Sequence, residues 1–466
     1  MAPGIHPRCG APGVYSEAYK RLVTLLLMLA YAFNAADRNL ISVLAQSMKL
    51  DLRLSDTQLG LLAGTAFASL YAVSGIPIAR LAERFNRVTI ISLSLAVWSA
   101  LTSLGGAAGS FAQLLGLRVG VGIAEAGCSA PSHSLISDYY PRERRAGALS
   151  VYSCGLSLGY LFVSVLGGYV VLHQGWRAAC LAIGLPGIAV ALLIRYLIEE
   201  PPRGHAEGGA GAPAGFSART ETRELAAVAR ALFLSWPAAN VVMGFTISSF
   251  ASYGAWVFIP AYFNRAFGLD FGTVGVVVGL AGSVPVALGT LLGGFVTDRA
   301  ATRNPGWYAL VPAAGLGIAT SLYLLAFAAR SWQVAALLLA AAGFFQYISL
   351  GPSFGVVQNV VGARRRATAT ALLYLCLTVA LAGGPLFTGW MIDHLFGRAC
   401  PVGALAGRCA TVLAQASRQG ITVTLCFHAW AAVHYALGAI GLGRQMQAAA
   451  ESGVAEAAAA SQVSSR

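Results

Sequence analysis

The sequence predicts an all-α membrane protein in which twelve transmembrane helices form two pseudo-symmetric six-helix bundles. Of its 466 residues, 57% are hydrophobic and only 11% are charged, whereas soluble domains carry about 25% charged residues. Apolar stretches of about 20 residues, the length that crosses a bilayer, recur along the chain. Short patterns of the first half also recur in the second half, which indicates two related bundles.

The hydropathy pattern places the spans one by one. A short Gly-rich turn, Gly105 to Gly109, separates the third span from the fourth, so hydropathy alone also allows eleven or thirteen spans. No small-residue cleavage site follows the first span, and we expect it to remain in the mature protein. The twelve predicted spans are 20–46, 58–79, 88–110, 111–135, 146–172, 177–197, 234–263, 272–297, 306–329, 332–355, 367–392 and 421–443.

An internal repeat supports the two bundles. The pairs Pro131-Ser132 and Arg144-Arg145 recur at the same spacing as Pro352-Ser353 and Arg365-Arg366. Repetition of like-oriented halves is typical of transporters that rock around a central binding site.

The boundary between the bundles is predicted from composition. Residues 204–215 are rich in Gly, Ala and Pro and predict a flexible linker. The predicted organisation is an N-terminal six-helix bundle 1–197, a cytoplasmic linker 198–232, a C-terminal six-helix bundle 233–445 and a cytoplasmic tail 446–466.

The net charge of +13 reports membrane topology. Between the predicted spans, most Lys and Arg residues fall on the side that carries both termini, and this side is normally cytoplasmic. We therefore predict a multi-pass protein of the bacterial inner (plasma) membrane with cytoplasmic N- and C-termini, and no nucleic-acid partner. Cys400 and Cys409 share a loop on the opposite side, where a periplasm permits a disulfide; the sequence leaves their pairing open.

Four charged residues lie inside the N-terminal spans. Asp37 and Arg38 are adjacent in the first span, and Arg118 and Glu125 share one face of the fourth span because seven residues make almost two helical turns. Intramembrane charges are costly, and they usually pair and mark ion or substrate pathways. Adjacent helical side chains project in different directions, so we predict a ladder of ion pairs between the two spans, in a register that the sequence leaves open.

A carboxylate whose arginine partner comes and goes can load and release a proton. We therefore predict Asp37 and Glu125 as proton-coupling residues and Arg38 and Arg118 as their charge partners or as the site of a substrate head group. An inert structural ion pair is the alternative.

Two further groups are candidates for the transport path. Charged residues that recur in cytoplasmic loops of both halves predict a cytoplasmic gate, whose members are Arg80, Glu83, Arg84, Asp298 and Arg299. Aromatic residues crowd the seventh span, and Phe245, Tyr253 and Trp256 could line a cavity, although such a run more often faces lipid or packs between helices.

The sequence contains no phosphate-binding Gly-x-x-x-x-Gly-Lys-Ser/Thr motif, no His-Glu-x-x-His and no Cys-x-x-Cys. ATP hydrolysis is thereby excluded, and metal and haem sites have no support. No nucleophile and acid-base constellation indicates an enzyme. We expect no cofactor other than the proton gradient.

Specific segments resemble the major facilitator superfamily and, within it, the Spinster family of lipid transporters. The superfamily loop signature is similar to residues 79–87, with Ala79, Glu83 and Asn86 in place of Gly, Asp and Gly. The segments 34–38 (Asn-Ala-Ala-Asp-Arg), 122–127 (Gly-Ile-Ala-Glu-Ala-Gly) and 134–145 are similar to the Spinster pattern. This resemblance implies proton-sensitive carboxylates at Asp37 and Glu125.

Together these observations predict a proton-coupled secondary active transporter that moves a small amphiphilic, lipid-like substrate of lysophospholipid or sphingoid type by alternating access. The alternative is a proton symporter or antiporter of small organic anions such as sugar acids and carboxylates. The expected partners are the substrate, protons and membrane lipids, and one chain of twelve helices suffices as a monomer.

Overall fold

The fold was examined in a computed structural model, which describes residues 15–140, 142–202, 218–361, 366–401, 407–449 and 451. These residues form an all-helical structure. The α-helices are α1 Glu17–Leu52, α2 Asp56–Gly60, α3 Ala66–Arg84, α4 Arg87–Gly105, α5 Phe111–Glu125, α6 Ser129–Tyr139, α7 Arg142–Phe162, α8 Gly168–Leu197, α9 Ala218–Phe233, α10 Trp236–Phe267, α11 Phe271–Ala301, α12 Trp307–Ala328, α13 Trp332–Tyr347, α14 Leu350–Asn359, α15 Arg366–Gly397 and α16 Arg408–Gly438.

Within the described residues, nine helical stretches are long and apolar enough to span a membrane. One of them, Val151–Leu197, contains most of the fifth predicted span and all of the sixth, with a non-helical residue, Gly175 (φ 82°), between them. The first two predicted spans fall on α1 and on α2 with α3. The structure therefore confirms an all-α, multi-pass fold, while the count of twelve stays a prediction.

Helix ends and helix contacts follow from local chemistry. The Ser55 hydroxyl accepts a hydrogen bond from Gln58 N, and the Gln58 side chain caps Ser55 N in return, so α2 begins with a capping box. Close packing needs small residues: a Cβ on Gly159 of α7 would lie 2.0 Å from the carbonyl oxygen of Ala32 on α1. Glycine is therefore required where α7 crosses α1.

Contacts divide the chain into two compact units. The first contains the described residues up to 202 together with those of Val257–Gly279 and Cys400–Thr411, and the second contains the described residues of Gly215–Trp256, Leu280–Ala399 and Val412–Arg466. The C-terminal part of α10 and the N-terminal part of α11 thus pack within the first unit, although both helices follow the predicted linker. The predicted bundle boundaries stay a prediction.

The predicted linker contains a helix that composition did not indicate. Helix α9 occupies Ala218–Phe233, and its Val228 and Leu232 are buried in the hydrophobic core of the second unit. The Gly-rich stretch 204–215 and nearly all of the predicted tail 446–466 lie outside the described residues.

The two loop cysteines form a disulfide. Cys400 and Cys409 are bonded, with Cα atoms 5.9 Å apart. This pairing, which the sequence left open, is consistent with a loop on the predicted outer side.

Reporter fusions test the predicted orientation. Alkaline phosphatase, which is active only outside the cytoplasm, is expected to be active when fused after residue 269, between α10 and α11, and inactive after residue 303, between α11 and α12. This expectation follows from the concentration of Lys and Arg residues in the segments between spans on the predicted cytoplasmic side. A β-galactosidase fusion at each position serves as the reciprocal control, and high phosphatase activity at residue 303 would contradict the orientation.

Candidate functional site

The four predicted intramembrane charges meet within the first unit. Helix α1 carries Asp37 and Arg38 in its middle, and α5 carries Arg118 and Glu125. Asp37 is 2% exposed, Arg118 5% and Glu125 0%. The structure thus brings together all four residues of the predicted ladder and gives its register.

Glu125 pairs with Arg38. The Arg38 Nε–H donates to Glu125 Oε2 over 2.9 Å, and the Asn34 amide donates to the same oxygen over 2.8 Å. Asn34 lies one helical turn before Arg38 on α1, so both donors reach α5 from one face. Asn34 belongs to the segment that resembles the Spinster pattern, but the sequence analysis assigned it no role.

Asp37 pairs with Arg118. The Arg118 Nη1–H donates to Asp37 Oδ2 over 2.7 Å, and the Thr102 hydroxyl on α4 donates to Asp37 Oδ1. Two ion pairs therefore link α1 to α5, one between Asp37 and Arg118 and one between Arg38 and Glu125. Thr102 could not be identified from the sequence, because a single threonine in an apolar span carries no distinguishing signal.

An aromatic wall on α3 lies beside both arginines. The guanidinium carbons of Arg38 and Arg118 lie 5.1 Å and 5.6 Å from the ring centre of Phe67, and that of Arg38 lies 4.7 Å from the ring centre of Tyr71. These are cation–π distances. A π-helical turn at Leu61–Thr65 directly precedes α3, and such turns are frequent at functional sites.

Several polar atoms of this site have no hydrogen-bond partner. Arg38 Nη2, Arg118 Nε and Nη2, Glu125 Oε1 and Asn34 Oδ1 are all buried and unpaired. Leaving a buried donor or acceptor unsatisfied costs roughly 1–3 kcal/mol. The cluster therefore retains free donors for an anion and a free carboxylate oxygen for a proton.

A small cavity of about 20 Å³, which has room for about one water molecule, adjoins Arg118. Its walls are almost entirely aliphatic and come from α1, α4, α5 and α8. The residues that line it include Leu40, Ile41, Leu101, Leu117, Arg118 and Val121. The guanidinium thus lies at the edge of an apolar space.

The residues of the predicted cytoplasmic gate are described only in part. Arg84 and Arg299 are exposed, Asp298 accepts a hydrogen bond from the Tyr308 hydroxyl over 2.8 Å, and the side chains of Arg80 and Glu83 lie outside the described part of the chain. The gate assignment therefore stays a prediction.

The buried charge next to this loop is Arg87. It is 1% exposed, and it donates to Glu200 over 2.6 Å, to Ser134 over 2.8 Å and to Asp138. This contact joins the start of α4 to α6 and to the chain that follows α8. Arg87 is the last residue of the segment 79–87, which resembles the superfamily loop signature, and only packing shows that it is buried.

The three aromatic residues predicted to line a cavity differ in their burial. Phe245 is 4% exposed and packs in the core of the second unit, 5.9 Å from the Phe354 ring, so it belongs to helix packing. Tyr253 is exposed and Trp256 is half-buried. The structure leaves these two as the candidates for a cavity wall.

The second unit holds a buried polar network that the sequence analysis missed. Gln346 donates to Ser252 over 2.6 Å, Ser252 lies 3.3 Å from His428 Nε2, and the Tyr323 hydroxyl donates to Gln346. His428 is fully buried. The interior of this unit is polar at this point but carries no formal Asp, Glu, Lys or Arg charge in the network.

Comparison with known proteins assigns this chain to a superfamily of transporters. The profile of the Major Facilitator Superfamily matches residues 27–385. An "MFS-type efflux pump" of Mycolicibacterium smegmatis is 32% identical over 370 residues, which cover 79% of this chain and 84% of the relative. A "probable L-galactonate transporter" of Escherichia coli is 25% identical over 395 residues, covering 81% and 85%. The chain belongs to the major facilitator superfamily, and it is a membrane transporter and not an enzyme.

Solved structures refine this assignment. A crystal structure of a bacterial homologue of the human lysosomal transporter Spinster, in an inward-facing and unoccupied conformation, aligns with a TM-score of 0.83 at 32% identity. The alignment covers 92% of this chain and 99% of the homologue. The predicted membership of the Spinster branch is confirmed.

The pairing of Asp37 with Arg118 predicts a large loss of stability when one partner is removed. Arg118→Gln leaves a buried carboxylate uncompensated, and we expect the free energy of unfolding to fall by about 3–5 kcal/mol. Denaturant unfolding of the detergent-purified protein measures this loss. Asp37→Asn with Arg118→Gln should recover much of it, whereas exposed Arg84→Gln should have little effect; an Arg118→Gln protein as stable as the parent would contradict the pairing.

The aromatic wall predicts energetic coupling between Phe67 and Arg38. In a double-mutant cycle of Phe67→Leu and Arg38→Met, we expect a coupling energy of about 1–2 kcal/mol in unfolding, because desolvated cation–π contacts reach that size. Phe162, which packs on Phe33, provides the matched control: Phe162→Leu with Arg38→Met should be additive. Additivity in both cycles would show that the ring contributes only volume.

Proposed function

We propose that this protein is a proton-coupled secondary transporter that moves an amphiphilic, lipid-like substrate with an anionic head group by alternating access. Glu125 and Asp37 carry the coupling, and Arg38 and Arg118 receive the head group. The observation that carries the proposal is the set of unpaired, buried polar atoms on Arg38, Arg118 and Glu125.

Proton coupling is supported by the arrangement around Glu125. Oε2 accepts two hydrogen bonds, whereas the buried Oε1 accepts none. A proton placed on this carboxyl group removes its charge and weakens its bond to Arg38. Arg38 then has more donors to offer an anion, so that proton arrival and anion binding favour one another.

Anion binding is supported by the free guanidinium donors. Arg118 uses only Nη1 for Asp37, and its Nε and Nη2 remain unpaired. Guanidinium groups bind carboxylates and phosphates through two parallel N–H donors. Arg38 contributes its unpaired Nη2.

A lipid-like substrate is supported by the surroundings of these donors. The cavity beside Arg118 is aliphatic, and the rings of Phe67 and Tyr71 cover the arginines with apolar surface. Apolar surroundings next to charged donors suit the head-group end of an amphiphile. The resemblance of the sequence segments to the Spinster family of lipid transporters implies the same substrate class.

A second candidate is a proton-coupled transporter of small organic anions. It is favoured by the similarity to the probable L-galactonate transporter of Escherichia coli and by the two arginines, which could hold a sugar acid directly. The two candidates share the coupling site and differ in the substrate.

Transport in proteoliposomes distinguishes the candidates. Under an imposed pH gradient, purified protein is expected to move a lysophospholipid, and Glu125→Gln or Asp37→Asn is expected to abolish gradient-driven movement by removing the exchangeable proton. D-Galacturonate is offered in parallel as the small anion. Gradient-driven movement of galacturonate alone would overturn the lipid assignment and support the second candidate.

A matched variant controls for general damage to the site. Asn34→Ala removes a neutral donor to Glu125 and leaves both carboxylates and both arginines, so it should lower transport while retaining dependence on the pH gradient. Unchanged gradient-driven transport in both Glu125→Gln and Asp37→Asn would overturn proton coupling through these residues.

A further inference from the structure

A second cluster of buried charges lies far from the candidate site, at the predicted outer end of the first unit. Asp56 is 0% exposed and Lys49 5%, and the Arg265 side chain is 2% exposed. Lys49 is near the end of α1, Asp56 begins α2, and Arg265 is near the end of α10. Residues so polar are almost never fully buried unless they are paired.

The contacts of the cluster join three helices. Arg265 Nη2–H donates to Asp56 Oδ1 over 2.7 Å and its Nε–H donates to Gln46 Oε1 over 2.7 Å, while Lys49 donates to Asp56 Oδ2. Both oxygens of Asp56 are thus engaged by cations from different helices. Arg265 is the member that binds α10 to α1 and α2.

The neighbouring segments of α10 and α11 are held closely as well. The Ser42 hydroxyl on α1 donates to the carbonyl oxygen of Val257 on α10 over 3.1 Å. A Cβ on Gly275 of α11 would lie 2.1 Å from the carbonyl oxygen of Ser164, in the π-helical turn Val163–Gly167. The cluster therefore covers a region in which helices of the predicted C-terminal bundle pack directly on helices of the predicted N-terminal bundle.

Alternating access requires such a contact to separate when the outer side opens. We propose that Lys49, Asp56 and Arg265 form an outer charge latch, which holds the outer segment of α10 on α1 and α2 and which breaks and re-forms in each transport cycle. This inference rests on alternating access in the proposed function, and it is independent of the substrate and of the coupling residues.

We expect the latch to keep its charges under mild acidification, so that protonation does not open it. Burial alone would raise the pKa of Asp56, but Arg265 and Lys49 hold it below its ordinary range. Asp56 therefore remains ionised above its ordinary pKa, and its contribution is lost only as the pH falls through the lowered value. Mild acidification leaves the latch charged, unlike a site that must exchange protons during transport.

Thiol labelling at Ser42 tests the latch. Ser42 is buried beneath the cluster, and a Ser42→Cys protein in proteoliposomes, treated from outside with a membrane-impermeant maleimide, should label slowly. Adding Asp56→Asn should raise the labelling rate several-fold, because Arg265 loses its carboxylate and the outer segment of α10 opens more often. The parent protein without Ser42→Cys gives the background from native cysteines.

Two further variants make the test specific. Arg265→Gln keeps the pair of Lys49 with Asp56 and should raise labelling as well. Asp51→Asn removes an exposed carboxylate that pairs with Arg177 on the same side and should leave labelling unchanged.

Labelling at the parental rate in both Asp56→Asn and Arg265→Gln would overturn the latch, and so would equal increases in Asp51→Asn. Since the assay measures no transport, a failed lipid assignment leaves its result intact.

Discussion

The membrane-embedded part of this structure depends on the pairing of charges that cannot reach water. An ionised side chain in the hydrocarbon region is unfavourable by several kcal/mol, and α1 carries two such side chains in succession. Since adjacent residues point to different sides of a helix, Asp37 and Arg38 each need a partner from α5. Their pairing with Arg118 and Glu125 therefore sets the rotation of α1 and α5 about their axes.

That rotation places other residues of the site. With Arg38 directed toward Glu125, its guanidinium lies against Phe67 and Tyr71 of α3, and Asn34 reaches the same carboxylate. Close approach of α5 to α3 is needed as well, and a Cβ on Gly122 would lie 2.6 Å from the carbonyl oxygen of Phe67. Because Gly122 has no side chain, α5 can pack close to α3, and the guanidinium groups of Arg38 and Arg118 both lie near the Phe67 ring.

The two units accommodate their buried polar side chains in different ways. The first holds formal charges and leaves some of their polar atoms unpaired, an arrangement that can respond to protons and anions. In the second, Tyr323, Gln346, Ser252 and His428 satisfy one another through hydrogen bonds. Hydrogen-bonded networks of this kind favour rigidity, and the coupling proposed above is assigned to the first unit.

The sequence by itself determined the membrane class, the positions of most helices and the four charged candidates, because hydropathy and intramembrane charge are properties of single segments. It also carried the Spinster resemblance. Only the tertiary structure decided the register of the ion pairs, the roles of Thr102 and Phe67, and the burial of Asp56 and Arg265. A threonine, a phenylalanine or a loop-end charge has no distinctive pattern, and its environment depends on how distant helices rotate and pack.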